Sequence, residues 1–215
     1  MKKTFVLMAI MGLVLIGKGF AQNISAGGGL GYLIPSKDVK DNYGDSAIAL
    51  GGFVNYPINA QISLLGEIDY YKVSGKEFTR KSGTDSAVPA GSLTSGVCKD
   101  SLRVIPITIS CLYGFPIQEN LFGYVGGGLG VFVAKKEIEN PSSKGTATFT
   151  TKKDSESKSP IGFQVRGGVS YAVSPSVSLH GELRYIYAKA WEQNLGGIGI
   201  GLGATYRFLG ATEEK

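Results

Sequence analysis

Alternation of apolar residues with polar or small ones is the feature that most constrains the fold of this chain. It recurs in eight segments, and no window sustains the 3.6-residue period of an amphipathic helix. Within residues 62–71, for example, Leu64 and Ile68 lie on one face and the acidic side chains on the other. Alternate side chains of a strand point to opposite faces, so each segment predicts a β-strand with one apolar face. The eight segments are 24–32, 48–56, 62–71, 105–113, 121–134, 161–171, 177–187 and 198–208.

The connections between these segments alternate in length. The short ones lie at 57–60, 116–120 and 173–176, and the longer ones at 34–46, 72–101, 135–159 and 189–195. Strands of about ten residues are long enough to cross a bilayer when tilted. Short periplasmic turns opposite long extracellular loops are typical of outer-membrane barrels. The sequence therefore predicts an all-β fold, an eight-stranded antiparallel up-and-down transmembrane β-barrel.

The composition of the two faces separates a membrane barrel from a soluble one. One face of the segments is Ile, Leu and Val, whereas the other is Gly, Ser, Thr and charge, and 32 of the 215 residues are glycine. A soluble barrel directs its apolar face inward, whereas inward glycines let a small membrane barrel close tightly. Aromatic residues at both strand ends predict two girdles at the membrane interfaces. The girdle residues are Tyr32, Tyr56, Tyr70, Tyr113, Phe163, Tyr171, Tyr185, Tyr187, Tyr206 and Phe208, with Trp191 also toward the long loops.

The first 21 residues have the three parts of a secretory signal peptide. Lysines at positions 2 and 3 precede an apolar stretch over 4–17, and a small-x-small site over 19–21 follows. We expect the mature barrel to span 22–208, with a short periplasmic tail over 209–215. Because three lysines leave with the signal peptide, the formal net charge falls from +5 to +2. The net positive charge therefore gives no support for nucleic-acid binding. The predicted location is the bacterial outer membrane.

Three glycine- and aromatic-rich stretches carry a resemblance to a known family. They are 26–32, 124–130 and 203–208. In these stretches the chain resembles the small outer-membrane β-barrels, which are the barrel domains of outer-membrane proteins A, X and W. The resemblance implies a monomer without a cofactor, surrounded by outer-membrane lipid and lipopolysaccharide. It also implies recognition of the last strand by the barrel assembly machinery, although the family's closing aromatic residue is usually terminal and Phe208 here precedes seven further residues.

Six charged residues have the inward parity of the predicted strands. They are Glu67, Asp69, Glu182, Arg166, Arg184 and Arg207. Three negative and three positive charges predict a balanced network, because unpaired charges in a narrow lumen are costly. We expect Arg166 and Glu182 to be cross-strand neighbours at its centre, with Glu67 opposite. The favoured function is structural or interactive, with a plugged lumen. The alternative is a narrow channel for ions or small apolar molecules, in which the network acts as a gate.

The single histidine, His180, raises an enzymatic alternative. Lipid A deacylases and palmitoyltransferases share this architecture, and Ser178 and Glu182 flank His180 on the same face. Strand neighbours two apart are separated by about 6.6 Å, however, which is too far for a direct relay. We therefore predict that the chain is not an enzyme. One histidine and two cysteines also predict no metal site.

The two cysteines are not expected to form a disulfide. Cys98 lies in a long loop, whereas Cys111 lies far along the following strand with lipid-facing parity. Nine residues of strand from Leu102 to Cys111 span about 30 Å, beyond the reach of a disulfide.

The loop over 135–159 is the most basic of the long connections. It carries six lysines against four acidic residues. This charge predicts contact with lipopolysaccharide phosphates or with an extracellular partner.

Overall fold

The computed structural model describes residues 24–80, 96–139 and 154–208, with side chains over 24–73, 101–137 and 155–208. The predicted signal peptide and the tail over 209–215 lie outside the described residues, as does the middle of the loop over 135–159.

The described chain is almost entirely antiparallel sheet. Each long strand pairs with the next long strand along the chain, and the last pairs with the first, so the sheet closes on itself. The short strand Asp154–Lys158 pairs with Leu121–Glu139, and the short strand Gln193–Asn194 pairs with Val177–Ala190. Eight long strands therefore form the wall. The predicted eight-stranded barrel is confirmed. The elements are β1 Ser25–Pro35, α1 Lys37–Asn42, β2 Ala47–Pro57, β3 Ile62–Arg80, β4 Gly96–Gln118, β5 Leu121–Glu139, β6 Asp154–Lys158, β7 Ile161–Ala172, β8 Val177–Ala190, β9 Gln193–Asn194 and β10 Gly197–Arg207.

Large apolar side chains cover the outer face of the wall. Ile48, Ile161 and Leu202 are more than 70% exposed, at the parity that the alternation predicts. Their surroundings cannot be water over so wide a belt, because a monomer in water rarely exposes more than a few hundred Å² of contiguous apolar surface. The belt is the face that hydrocarbon covers in a transmembrane barrel.

Three strands are longer than the alternation predicts. β3, β4 and β5 extend into the segments over 72–101 and 135–159 that the sequence assigns to loops. In the sequence, polar residues stand at both odd and even positions over 74–80 and 96–101, so the hydrophobic pattern that reveals the membrane part is lost there. The β4–β5 ladder continues as far as the pair of Lys99 and Glu139.

A short helix, α1, lies in the connection over 34–46 and was not predicted from the sequence. Its buried Val39 and the following Tyr43 pack into the barrel end, whereas its other residues are polar. The described residues contain no helix that is long and apolar enough to be a membrane span.

The lumen differs between its two ends, which we call the short-turn end and the long-loop end. Toward the long loops the inward side chains are apolar and fully buried, in contrast to the polar inner face predicted throughout. This apolar core explains why the alternation weakens toward the long-loop end of the strands, where both faces are apolar. The core residues are Leu33, Val39, Tyr43, Ala47, Ala49, Tyr71, Val73, Leu102, Val104, Phe132, Ala134, Ile186, Ala188, Ala190 and Leu195.

A cap formed by α1 and β9 covers the apolar core. The backbone N–H of Asn194 donates to Asp38 Oδ2 at 2.9 Å, and the Ser36 hydroxyl donates to the Asn194 carbonyl. Beneath them the Tyr71 hydroxyl donates to the Leu195 carbonyl at 3.1 Å. The cap is therefore tied both to itself and to the barrel wall.

A tight turn joins β8 to β9 within this cap. Trp191 and Glu192 have φ values of 50° and 63°, and they lie between the paired residues Ala190 and Gln193. Two positive φ values in a two-residue loop are the pattern of a type I′ turn, which usually contains Asn or Gly. The turn places the Trp191 ring against the core, with Lys136 Nζ 4.5 Å from its centroid. Trp191 therefore belongs to the cap rather than to the lipid-facing girdle.

Candidate functional site

A network of charged side chains crosses the lumen below the apolar core, and Glu67 lies at its centre. Glu67 Oε2 accepts from Arg166 Nη2 and, at 3.1 Å, from Gln164 Nε2. Its other oxygen, Oε1, accepts from Arg184 Nη1 at 3.3 Å. The side chains of Glu67, Arg166 and Arg184 are only 3–8% exposed. The centre is thus Glu67, rather than the pair of Arg166 and Glu182 predicted from the sequence.

Asp69 completes the side of the network nearest the apolar core. Its Oδ2 accepts from Arg184 Nη1 at 2.6 Å, and its side chain is 5% exposed. One guanidinium nitrogen therefore binds both Glu67 and Asp69. Charge-assisted hydrogen bonds of this kind are stronger than those between neutral groups.

Glu182 is bound less closely than the other two carboxylates. It accepts from Arg166 Nη1 and from the Tyr124 hydroxyl, both at 3.3 Å, and lies 3.8 Å from Arg184 Nε. In the β7–β8 register Arg166 is opposite Arg184, and Glu182 is opposite Gly168. Arg166 and Glu182 therefore contact each other diagonally across the two strands and are not directly opposite each other.

The neutral members of the network were not singled out from the sequence. Gln164 Nε2 also donates to Thr108 Oγ1 at 2.8 Å and to Ser110 Oγ at 3.0 Å. These residues and Tyr124 share the inward parity of their strands. That parity is the sequence signal that could have identified them as lumen residues. Their hydroxyl and amide groups satisfy the lone pairs that the arginines leave open.

Inward glycines on the remaining strands make room for the network. A Cβ at Gly51 would collide with the Asp69 carboxylate. Cβ atoms at Gly199 and Gly201 would lie 3.1 Å from Arg184 Cγ and 3.3 Å from Glu182 Cγ. The glycine-rich inner face of β10 therefore has a steric cause.

Arg207 lies apart from the other five predicted lumen charges. It is exposed at the short-turn end, paired in register with Ser25, and forms no ion pair with another described residue. The network proper thus has three carboxylates and two guanidinium groups. The balanced set of six that the sequence suggests is not assembled, because Arg207 lies six residues along β10 from Gly201, the residue that pairs with Glu182.

A cavity of about 300 Å³ occupies the short-turn half of the lumen, and we call it the vestibule. Its lining runs from turn residues 59–61 to Glu67 and Arg184 at the network. The vestibule therefore reaches the charged side chains from the short-turn end.

His180 lies in the vestibule wall. Its Nδ1 is 3.3 Å from Thr205 Oγ1, and its ring meets Phe53 edge-on at 5.3 Å between centroids. Among the described residues, no hydrogen bond joins His180 to Ser178 or Glu182. No cluster of metal-ligating side chains suitable for an ion occurs in the part of the chain that the structure describes.

The predicted girdle residues lie on the outer face near the two ends of the strands. All except the half-buried Tyr187 are exposed, and Tyr187 stacks on Phe163 with centroids 5.3 Å apart. At the other end Tyr206 meets Phe208 at 5.3 Å. Cys111 is a free, exposed cysteine on the same outer face, whereas the side chain of Cys98 lies outside the described residues.

Comparison with known proteins agrees with this architecture. The family model of the outer membrane protein beta-barrel domain matches residues 9–208. The chain belongs to this family. Its location is accordingly the bacterial outer membrane, and the short-turn end of such a barrel faces the periplasm.

Solved structures of outer-membrane proteins share the fold. Neisserial surface protein A (NspA) is 17% identical, with a TM-score of 0.55 over 86% of this chain and 97% of that chain. Ail of Yersinia pestis, in complex with the heparin analogue sucrose octasulfate, is 14% identical, with a TM-score of 0.52 over 87% and 99%. A major outer membrane protein of Thermus thermophilus is 13% identical, with a TM-score of 0.52 over 86% and 99%. A search of curated proteins gives no match.

Proposed function

We propose that this barrel is a non-conducting outer-membrane protein with a structural and surface-interaction role. The supporting observation is that two successive layers, the charge network and the apolar core, cross its lumen beyond the vestibule. The cap of α1 and β9 covers the second layer on the long-loop side. The surface available for function is then the outer wall and the long-loop end.

The layered filling disfavours the channel alternative on energetic grounds. An ion entering from the vestibule meets fixed ion pairs and then side chains that offer it no ligands. Transfer of a charge into such surroundings costs many kcal/mol. A narrow channel would require Arg166, Arg184 and their carboxylates to exchange partners and the apolar core to part as well.

Conductance in planar lipid bilayers tests the proposal directly. The purified protein should insert without producing discrete current steps, whereas a general porin added as a control should produce them. Steady steps from the unmodified protein would favour the channel alternative. Lipid A mass analysis in cells with and without the protein tests the enzymatic alternative, and we expect identical spectra.

We further propose that the barrel assembly machinery recognises β10. This strand carries apolar residues on one face and ends beside the exposed rings of Tyr206 and Phe208. Replacing both aromatic residues with alanine should lower the amount of folded protein in the outer membrane. The matched control is Leu202→Ala, which truncates an exposed leucine on the same strand.

A further inference from the structure

Three cations form a row on the outer face of the barrel, across β3, β4 and β5. Lys72 pairs in register with Arg103, and Arg103 pairs with Lys135. Neighbouring strands lie about 4.8 Å apart, so the row spans about 10 Å of the wall. The Arg103 and Lys135 side chains are 42% and 44% exposed. We call these three residues the basic row.

The basic row lies directly above the lipid-facing belt. Tyr70 and Val133, each two residues below a cation on the same strand, are exposed apolar members of that belt. Val125, which pairs with the girdle residue Tyr113, precedes Lys135 by ten residues. In a strand tilted by about 45°, ten residues rise about 24 Å along the membrane normal. The apolar band of such barrels is about 25 Å tall, so the row lies at the headgroups of the outer leaflet.

Glu137 fixes two members of the basic row in position. Its carboxylate binds Arg103 Nη2 at 2.9 Å and Lys135 Nζ at 3.0 Å, and its side chain is only 14% exposed. Among the side chains that the structure describes, the cluster has three positive charges and one negative. Because the carboxylate is largely covered and the cations are not, the exposed side of the cluster is positive.

Another sector of the long-loop end carries exposed acidic residues. On the sector formed by α1 and the chain before β2, exposed Asp38, Asp41 and Asp45 counter the nearby lysines. An anionic partner at the membrane surface would therefore be favoured at the basic row over this acidic sector.

We propose that the basic row binds the phosphate groups of a lipid A-type glycolipid in the outer leaflet. The acyl chains of this glycolipid would lie on the belt below. A rigid sugar headgroup that carries two phosphates suits cations held at fixed spacing, and a guanidinium matches phosphate geometry well. The inference rests on the surface-interaction role proposed above and names the partner.

The test uses the full barrel in nanodiscs of neutral phosphatidylcholine, titrated with bisphosphorylated lipid A. The triple variant Lys72→Gln, Arg103→Gln, Lys135→Gln should lose roughly 100-fold in affinity, since each basic residue at an anionic surface contributes about fivefold. The control is Lys37→Gln with Lys189→Gln, two exposed lysines away from the row, and it should stay within about twofold of the unmodified protein. Equal affinity of the triple variant and the unmodified barrel would overturn the assignment.

A single charge reversal guards against misfolding of the triple variant. Lys72→Glu leaves the Glu137 contacts intact and should weaken binding by about 30-fold, because it changes the local charge by two. Unchanged affinity in this variant would also contradict the proposal.

Two further probes distinguish the occupant from other anions. Lipid A without phosphates should bind far more weakly, and phosphatidylglycerol should not compete at equal concentration. Equal binding of phosphatidylglycerol would show a general anionic contact and overturn the glycolipid assignment. Bilayer conductance of the triple variant should match that of the unmodified barrel, so failure here is separable from failure of the non-conducting role.

Discussion

The two halves of the lumen contain different kinds of side chain. In the periplasmic half, Glu67 and its partners form buried ion pairs beside an open vestibule. In the extracellular half, side chains such as Leu102 and Phe132 pack into an apolar core. Ion pairs fail when one partner is lost, because the other is left buried and charged. A packed core fails by degrees, in proportion to the volume removed.

The largest expected effect is that of Glu67→Ala. The change leaves Arg166 and Arg184 without their shared acceptor, and breaking a buried pair typically costs about 3–5 kcal/mol. Unfolding by urea in lipid vesicles should show this loss. Glu182 and Asp69 remain as partners of the two arginines. Water drawn to the guanidinium nitrogens that lose Glu67 should enlarge the vestibule, which hydrogen exchange of the neighbouring backbone would detect.

Two comparisons sharpen this prediction. Glu67→Gln keeps an acceptor oxygen and should lose less stability than Glu67→Ala. Arg166→Ala combined with Glu182→Ala should cost less than the sum of the single changes, because no charge is orphaned between them. Strict additivity would show that the two residues act independently of each other.

In the other half, Leu102→Ala should cost about 2–4 kcal/mol, the range for a buried leucine truncated in a packed core. The cavity it leaves is lined by apolar side chains and should stay dry, so bilayer conductance should not rise. Leu129→Ala on the lipid face is the control, with a side chain 67% exposed on the outer wall. It should cost less, because lipid chains can fill the space and no cavity remains. A conductance increase in Leu102→Ala would show that the core is a second hydrated region.

A smaller effect is expected where glycine makes room for the network. Gly51→Ala forces a methyl group into the Asp69 carboxylate and should cost about 1–3 kcal/mol, as overpacking does. At Gly66, on the adjacent strand, a Cβ meets no atom within 4 Å. Gly66→Ala should therefore be nearly neutral in the same unfolding assay. Equal costs at the two positions would argue against the steric reason for the inward glycines.

The smallest expected effect concerns the cap. Asp38→Ala removes the acceptor of the Asn194 N–H, an exposed hydrogen bond worth about 0.5–1.5 kcal/mol. Hydrogen exchange should quicken at Asn194 while global unfolding changes little. No change in exchange would mean that the Asp38 hydrogen bond does not help to hold β9.

The fold was predictable because the two faces of a membrane strand differ so strongly in composition. Alternation predicts the outward parity of Ile107, Leu183 and Ile200, and each is exposed in the structure. The extensions of β3 to β5 and the helix α1 were not predictable in this way. Polar residues on both faces of a strand, and six helical residues with one buried side chain, leave no periodic signal.

The network was predictable only in part. Parity placed Glu67, Asp69, Arg166, Glu182 and Arg184 inside, but it does not specify which strands meet across the lumen. Which charged side chains pair depends on the tilt of the strands and on the length of the side chains. Alternation in the sequence encodes neither. Parity also does not indicate that position 207 lies beyond the narrow part of the barrel, or that the upper lumen is apolar.

The placement of the network bears on the order in which the barrel assembles. Every side chain that forms a hydrogen bond or ion pair within the network comes from β3, β4, β5, β7 or β8. These are consecutive long strands of the barrel wall. At that level β2 and β10 contribute Gly51, Gly199 and Gly201. The charges can therefore find their partners on a curved, still open sheet, before the first and last strands meet. Closure of the β1–β10 seam then brings together two strands with no bulky inner side chain at that level, so the final step requires no rearrangement of charge.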